Sequence, residues 1–258
     1  MIFSDVDRLS ERERHAAIAL EDRLLLAGRR VLNHPANVLG RVELMRRLKL
    51  SGINPFSLYR LVELANVRSL GYPVFVRTDS EHSGSLSPLV RTPLGLVYWV
   101  LRKGLRRRSF ADLLVVEYED VVDPATGVFR KYSYLKIGER LIARHLIFGH
   151  AWMLKYPQLD APDLLAEEVA FVESEEPSPL IERVFALAGI DYGRIDFSFR
   201  PSDGALCVWE INTNPAHGSR ADAMPGRLVM LDRVTQRVID GYLAEAEHAS
   251  EARDRVVP

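Results

Sequence analysis

Apolar and polar positions alternate along this chain with two periods, and the switches between them mark its elements. Ser10-Glu11-Arg12-Glu13 is a capping-box pattern that opens a helix, with Ala17, Leu20 and Leu24 on one face and Gly28 at its end. The apolar run Met1-Ile2-Phe3 before it and Arg30-Val31-Leu32-Asn33-His34-Pro35 after it read as strands, so residues 1–40 form a short βαβ unit. Leu44, Met45 and Leu48 put an apolar stripe on a helix from Arg41 to Leu50, closed by Ser51-Gly52. Tyr72 to Arg77 reads as a strand and Thr78 to Ser87 as a polar loop. Thr92-Pro93 then opens a helix that passes Tyr98-Trp99 and ends in Arg102-Lys103-Gly104-Leu105-Arg106-Arg107-Arg108. Cations sit favourably at a helix C-terminus, so that basic run reads as a solvated helix end and not as a nucleic-acid stripe.

Period-2 patterning dominates the second half. Leu113 to Tyr118 and Phe129 to Ile137 are strands joined through Asp123-Pro124-Ala125-Thr126-Gly127, and Gly138-Glu139 turns the chain into a further strand, Arg140 to Leu146. Residues 148–177 carry the Trp152-Met153-Leu154-Lys155-Tyr156-Pro157 cluster and an acidic helix candidate. Ser178-Pro179 caps and starts the next helix, and Gly189 closes it. Gly193 to Phe199 and Leu206 to Asn212 form a hairpin around Pro201-Ser202-Asp203-Gly204. A helix from about Met224 to Ala246 follows, and residues 247–258 read as a frayed polar tail.

Composition narrows the function classes. The chain has 258 residues, 47% hydrophobic and 27% charged, which is ample material for a core. With 34 Lys+Arg against 35 Asp+Glu the net charge is -1, without the general attraction expected of a dedicated nucleic-acid binder or polybasic membrane protein. Cys207 is the single cysteine, too few for a disulfide framework or a Cys-rich zinc site. The apolar run Leu94 to Leu101 falls far short of the roughly 20 residues that span a bilayer. The expectation is a soluble cytoplasmic protein with no nucleic-acid or membrane partner.

Candidate chemistry sits in the last hairpin. Strand alternation puts Ile195, Phe197 and Phe199 on one face and Arg194, Asp196 and Ser198 on the other. In the partner strand Cys207, Trp209 and Ile211 take one face, while Leu206, Val208, Glu210 and Asn212 take the opposite one, with Asn214 beyond. Two carboxylates and an amide thus converge. They are hard oxygen ligands of the kind that hold Mg2+ when substrate phosphates and water complete its shell, so the pattern points to a nucleotide.

Asp196 followed by Glu210-Ile211-Asn212-Thr213-Asn214-Pro215 resembles the metal-binding end of the ATP-grasp superfamily, which includes D-alanine ligases, glutathione synthetases and ribosomal-protein glutamate ligases. The resemblance extends upstream, over about residues 31 to 240. Asn33-His34-Pro35 with the Arg-rich helix after it resembles the start of the family's core. Tyr72 to Arg77 resembles the strand ending in a phosphate-contacting cation, and Leu114-Val115-Val116-Glu117-Tyr118 the hinge strand that reads adenine. It implies an α+β ATP-grasp fold, two α/β subdomains holding ATP between antiparallel sheets. Residues 1–40 would be the remnant of a shortened N-terminal domain, 41–115 the small subdomain, 116–246 the C-terminal subdomain and 247–258 the tail.

The resemblance also implies roles. Asp196, Glu210 and Asn212 would hold one or two Mg2+, with Mn2+ as an alternative, and Arg77 would neutralise phosphate. Val116, Glu117 and Tyr118 would present backbone groups to adenine, with Asp120 or Asp123 accepting from ribose hydroxyls. Lys131 and Arg144 would meet the γ-phosphate and an acyl phosphate as the catalytic cations. Arg77 stands where the family usually has lysine, and Arg keeps phosphate binding through bidentate contacts. His82, Ser83 and Gly84, in a loop with fewer glycines than is usual, would cover the phosphates. The implied activity joins a small-molecule or peptide carboxylate to an amine, or a thiol, with release of ADP and phosphate. A small-molecule kinase and a nucleotide-binding module or partner subunit without its own chemistry are the alternatives, and a homodimer would be one way to supply a missing substrate wall. Tyr132, Tyr134, Trp152 and Tyr156 are candidates for a substrate pocket or for the core, and Lys155 for a substrate carboxylate.

Overall fold

The computed structural model describes residues 1–67, 69–79, 81, 84–159, 161–174, 178–216 and 225–254. Two antiparallel sheets face one another across the chain. The first has the order β1-β3-β2, built from β1 (Leu58–Arg60), β2 (Val74–Thr78) and β3 (Leu113–Glu117). The second has the order β5-β4-β6-β7, built from β4 (Phe129–Ile137), β5 (Arg140–Gly149), β6 (Tyr192–Phe199) and β7 (Leu206–Asn212). The helices are α1 (Glu11–Leu26), α2 (Arg41–Leu50), α3 (Pro93–Arg107), α4 (Pro162–Glu173), α5 (Pro179–Ala188) and α6 (Leu228–Asp254). Strand β1 is only three residues long, too short for a period to register, and the sequence reading lacks it. Among the described residues no helix is long and apolar enough to cross a membrane.

The N-terminal segment departs from the βαβ expectation. Ser10 and Glu13 do form a reciprocal capping box, but the flanking strands shrink to one parallel bridge between Ile2 and Leu32. The sheltered face of α1 is also rotated from the expected one. Leu20 is exposed, and Arg14, Ala17, Ile18, Glu21 and Leu24 turn inward, with Arg14 donating to Pro35 O and Val38 O at 2.8 and 2.6 Å. Asn33 then fastens this segment to the second sheet. It is fully buried in the left-handed region (φ 63), donates through Nδ2 to Phe3 O and Tyr192 O, and accepts at Oδ1 from the amides of Asp191 and Tyr192.

The two faces of the second sheet have different fates. On one face Tyr132 and Tyr134 stack on Phe197, with Phe171 of α4 edge-on, and Ile181, Val184 and Phe185 of α5 continue the same core. This settles the two tyrosines as core. On the other face Lys131 and Ser133 precede Leu135 and Ile137, which pack under Met230, Val234 and Val238 of α6. Helix α6 therefore covers only one end of that face, and the other end stays open towards the first sheet. Its helix runs on to Asp254, so residues 247–254 are helical and not a frayed tail. Ser178 precedes the N1 proline of α5 as expected, yet its hydroxyl makes no capping hydrogen bond.

Two β-bulges re-aim side chains at the open end. Ser133 pairs with His145 and Tyr134 with Ala143, which leaves Arg144 as the extra residue. Asp196 pairs with Glu210 and Phe197 with Val208, which leaves Trp209 extra. The second bulge overturns the simple alternation expected for β7. Cys207 pairs with Ser198, and Leu206 and Val208 take the Phe197 side; Trp209 comes to the Ser198 side and donates to Ser198 Oγ at 3.1 Å. Burial holds the Cys207 thiol up at about 12, so it stays protonated and inert at neutral pH.

Candidate active site

A cavity of about 870 Å3 lies between the sheets. Phe75 and Arg77 of β2 and Val116 of β3 form one wall, and Lys131, Arg144, Asp196, Glu210 and Asn212 from β4 to β7 form the other. Direct cross-strand pairing of Asp196 with Glu210, and of Arg194 with Asn212, brings the expected metal ligands onto one face. Trp152 closes the apolar end, 5.0 Å from the Phe75 ring and edge-on to Tyr118 at 5.8 Å. Trp152 and Tyr156 line the cavity, unlike Tyr132 and Tyr134.

Each carboxylate is held by cations. Asp196 is buried, with Lys131 Nζ 3.2 Å from Oδ2 and Arg194 Nε 3.2 Å from Oδ1. The Arg194 contact is too poorly aligned to be a hydrogen bond, so among the described residues Oδ1 is a buried acceptor without a hydrogen-bond partner. Glu210 Oε2 lies 3.1 Å from Arg41 and 3.3 Å from Arg77. Arg41 is buried and also donates to the carbonyls of Thr78, Asp79 and Glu81, so it ties the loop after β2 to the second sheet. Burial, then the neighbouring Arg41 charge, lowers the Arg77 pKa; burial, then Arg194, lowers that of Arg144. His145 beside it is pushed well below the ordinary histidine range by desolvation and by Arg194, Lys131, Arg144 and Arg227, so the imidazole is neutral at pH 7. A polyanion fits such a cation ring better than a neutral ligand does.

Among the described residues no three His, Cys, Asp or Glu side chains gather into a metal cage. The residues present nonetheless fit Mg2+, since two carboxylates and an amide, one carboxylate oxygen lacking a hydrogen bond, suit an ion that takes its remaining ligands from phosphate and water. Asn212 is already braced, its Oδ1 accepting from the Asn214 amide at 2.8 Å.

The remaining expected residues are distributed unevenly. Val116 and Tyr118 line the cavity, but the Glu117 amide donates to Ser57 O and the Tyr118 amide to Pro73 O. The Glu117 carboxylate accepts from the amides of Ser57 and Gly71, so it braces β1 and the approach to β2. Asp120 and Asp123 both serve local turns, Asp120 accepting from Val122 N and Tyr118 Oη, Asp123 from Ala125 N, Thr126 and Arg130; neither is among the cavity-lining residues. Gly84 (φ 89) lines the cavity beside Lys155, where an added Cβ would sit 2.7 Å from Lys155 Cε. His82 and Ser83 lie outside the described residues.

Sequence reading missed Arg41, Glu119, His145, Trp209 and Arg227. Glu119 lines the cavity just past β3 and pairs with Arg200 at 3.0 Å; Arg227 enters from the turn before α6, held by the buried Glu168. Arg194 carried a usable signal, because it shares a face with Asp196 two residues on. Arg41 carried none, since its partners stand 37 to 169 positions away.

Two facing antiparallel sheets with carboxylates and cations between them define the class: this chain has the ATP-grasp fold. The D-alanine–D-alanine ligase of Bacillus anthracis, solved with ATP, superposes with a TM-score of 0.50 at 16% identity, covering 93% of this chain and 75% of that one. The D-alanine–D-alanine ligase of Coxiella burnetii gives 0.48 at 16% identity over 88% and 69% of the two chains, and the L-amino acid ligase of Bacillus licheniformis 0.41 at 14% over 70% and 41%. No protein-family model matches the chain, and no curated protein matches it.

Proposed function

We propose that this protein is an ATP- and Mg2+-dependent ligase that joins a carboxylate to an amine through an acyl phosphate. The observation that carries the reading is the pairing of Asp196 with Glu210 on a sheet face turned to the cavity, ringed by Arg77, Lys131, Arg144 and Arg194. Adenine would lie at the apolar end against Val116, Tyr118 and Trp152, with Glu119 in reach of the ribose. Asp196, Glu210 and Asn212 would hold Mg2+, which when bound would supply neutralisation of phosphate charge.

The chain's own cations do the rest. Arg77 and Lys131 would orient the phosphates in line with the substrate carboxylate, and Arg144, re-aimed by its bulge, would stabilise charge on the transferred phosphoryl group. The carboxylate oxygen bonds to γ-phosphorus as the bond to the β-γ bridging oxygen breaks, leaving ADP and an acyl phosphate. An amine then attacks the acyl carbon and phosphate departs, its proton passing to solvent or to a basic group. Both steps need pre-positioned charge more than a nucleophilic side chain.

Hydroxylamine trapping tests the proposal. With Mg-ATP and a pool of amino acids and small peptides, the protein should release ADP and form a hydroxamate, and Asp196→Asn should cut ADP release on the order of 100-fold or more. ADP release without hydroxamate would replace the ligase with a kinase on the same fold, and nucleotide binding without turnover in any pool would leave a binding module.

A further inference from the structure

Helix α3 is apolar on two opposite sides. Leu96 and Gly104 are buried, and Trp99 and Val100 are partly buried in the cluster that holds Val74, Val76 and Val115 of the first sheet. On the outward side Leu94 is 83% exposed, Val97 55%, Tyr98 55%, Leu101 49% and Leu105 69%. Their positions, i, i+3, i+4, i+7 and i+11, form one continuous stripe along the helix. A solvated helix presents polar residues on that side, so a stripe of this length points to something that covers it.

The charges around the stripe say what. Between Arg91 and Arg108 the sequence holds Arg91, Arg102, Lys103, Arg106, Arg107 and Arg108 and no Asp or Glu, in a chain whose net charge is -1. At 100° per residue Arg102 and Arg106 fall on one shoulder of the stripe, and both are exposed. The Arg102 guanidinium lies over the Tyr98 and Trp99 rings at 5.9 and 5.1 Å and donates to Tyr98 Oη at 2.9 Å, so an exposed cation is held at the edge of the stripe. Arg107 is turned the other way, towards Glu81 and Asp112.

A second copy is a poor occupant. Apposing two α3 stripes would set Arg102 and Arg106 of one copy beside the same cations of the other, with no acid in residues 91–108 to offset them. An anionic bilayer satisfies both features, with lipid phosphates meeting the arginines and the acyl boundary receiving the aliphatic row. We propose that α3 is a peripheral membrane-binding helix that lies in the plane of an anionic lipid surface, with Leu94, Val97, Leu101 and Leu105 inserted and Arg102, Arg106 and Arg108 on the headgroups. On this proposal the basic run is more than a solvated helix end, and a membrane surface joins the partners to be tested. This inference does not depend on the chemistry in the cavity.

Vesicle flotation of the full chain tests it, using phosphatidylcholine vesicles with and without phosphatidylglycerol. The protein should float with the anionic vesicles only, and added salt should release it. Leu101→Asp with Leu105→Asp, and separately Arg102→Glu with Arg106→Glu, should each weaken binding on the order of tenfold or more. Because all four positions are exposed, thermal melts should match the parent and separate lost binding from lost folding. Failure of the parent to bind anionic vesicles would overturn the proposal, as would equal binding to neutral ones or variants that bind as well as the parent. A solution dimer that the Leu101→Asp pair disperses would also overturn it and give the stripe to a second copy.

Discussion

Asn33→Ala measures how firmly the N-terminal segment is tied to the strand that carries Asp196. The side chain is fully buried and makes four hydrogen bonds of 2.7 to 2.9 Å, two as donor to Phe3 O and Tyr192 O and two as acceptor from the amides of Asp191 and Tyr192. Alanine removes all four and leaves backbone groups buried, at about 1 kcal/mol or more for each that water cannot reach. The left-handed backbone (φ 63) adds about 1 kcal/mol for a residue with a Cβ and no compensating amide. If half of the exposed groups regain water, the sum is about 3 to 5 kcal/mol, or roughly 6 to 20 °C in the melting temperature of a chain this size. Asn33→Gly should recover only the backbone part. Asn33→Asp should equal or exceed the alanine loss near neutral pH, because a carboxylate would face two carbonyls, and should recover in acid as the carboxyl protonates and donates once. Differential scanning calorimetry reads all three. A shift below about 2 °C for Asn33→Ala would mean that the four Asn33 hydrogen bonds do not anchor the N-terminal segment to the second sheet.

Other perturbations reach the site more directly. Glu210→Gln should weaken Mg-ATP binding on the order of tenfold or more by calorimetric titration, since it would remove a charged ligand of the proposed Mg2+ site while Arg41 and Arg77 stay in place; unchanged affinity would refute that assignment of Glu210. Stability should fall with acid partly through His145. Above its unfolded value, about 6.5, both states are neutral; below that the unfolded chain takes up a proton that the folded site refuses, until the depressed folded pKa is reached. His145→Gln should therefore flatten the drop in melting temperature between about pH 7.5 and about 5.5, and an unaltered slope would assign the drop to other groups. Gly189→Ala should cost about 2 to 4 kcal/mol in a denaturant titration, because φ is 65 and the new Cβ would stand 2.4 Å from Asn37 O; a cost under 1 kcal/mol would show that this helix end relaxes freely.

Local pattern was enough wherever a feature depends on neighbours a few positions apart. The capping box at Ser10, the stripe of α2, the Thr92-Pro93 start of α3 and the hairpin of β6 and β7 were legible because period and turn chemistry act over one or two turns of chain. The same alternation put Asp196, Glu210 and Asn212 on one face, and that facing survives in the structure. It failed at Cys207 and Trp209, because a bulge is one extra residue whose cause lies in the opposing strand. It failed again at residues 1–3 and 30–35, where apolar runs find too little partner edge to form more than a bridge.

By itself the sequence determined the order of the elements from α2 onward apart from β1, the resemblance to ATP-grasp proteins and the carboxylate pair, since each is written in spacings of a few residues. Only the tertiary structure decided that Arg41 of α2 reaches Glu210 of β7, that two bulges turn Arg144 and Trp209 into the cavity, and that α3 keeps a second apolar face exposed. Those three facts depend on which surfaces meet after the chain has closed on itself. No local period encodes that, because the partners are brought together by burial and pairing far apart in the sequence.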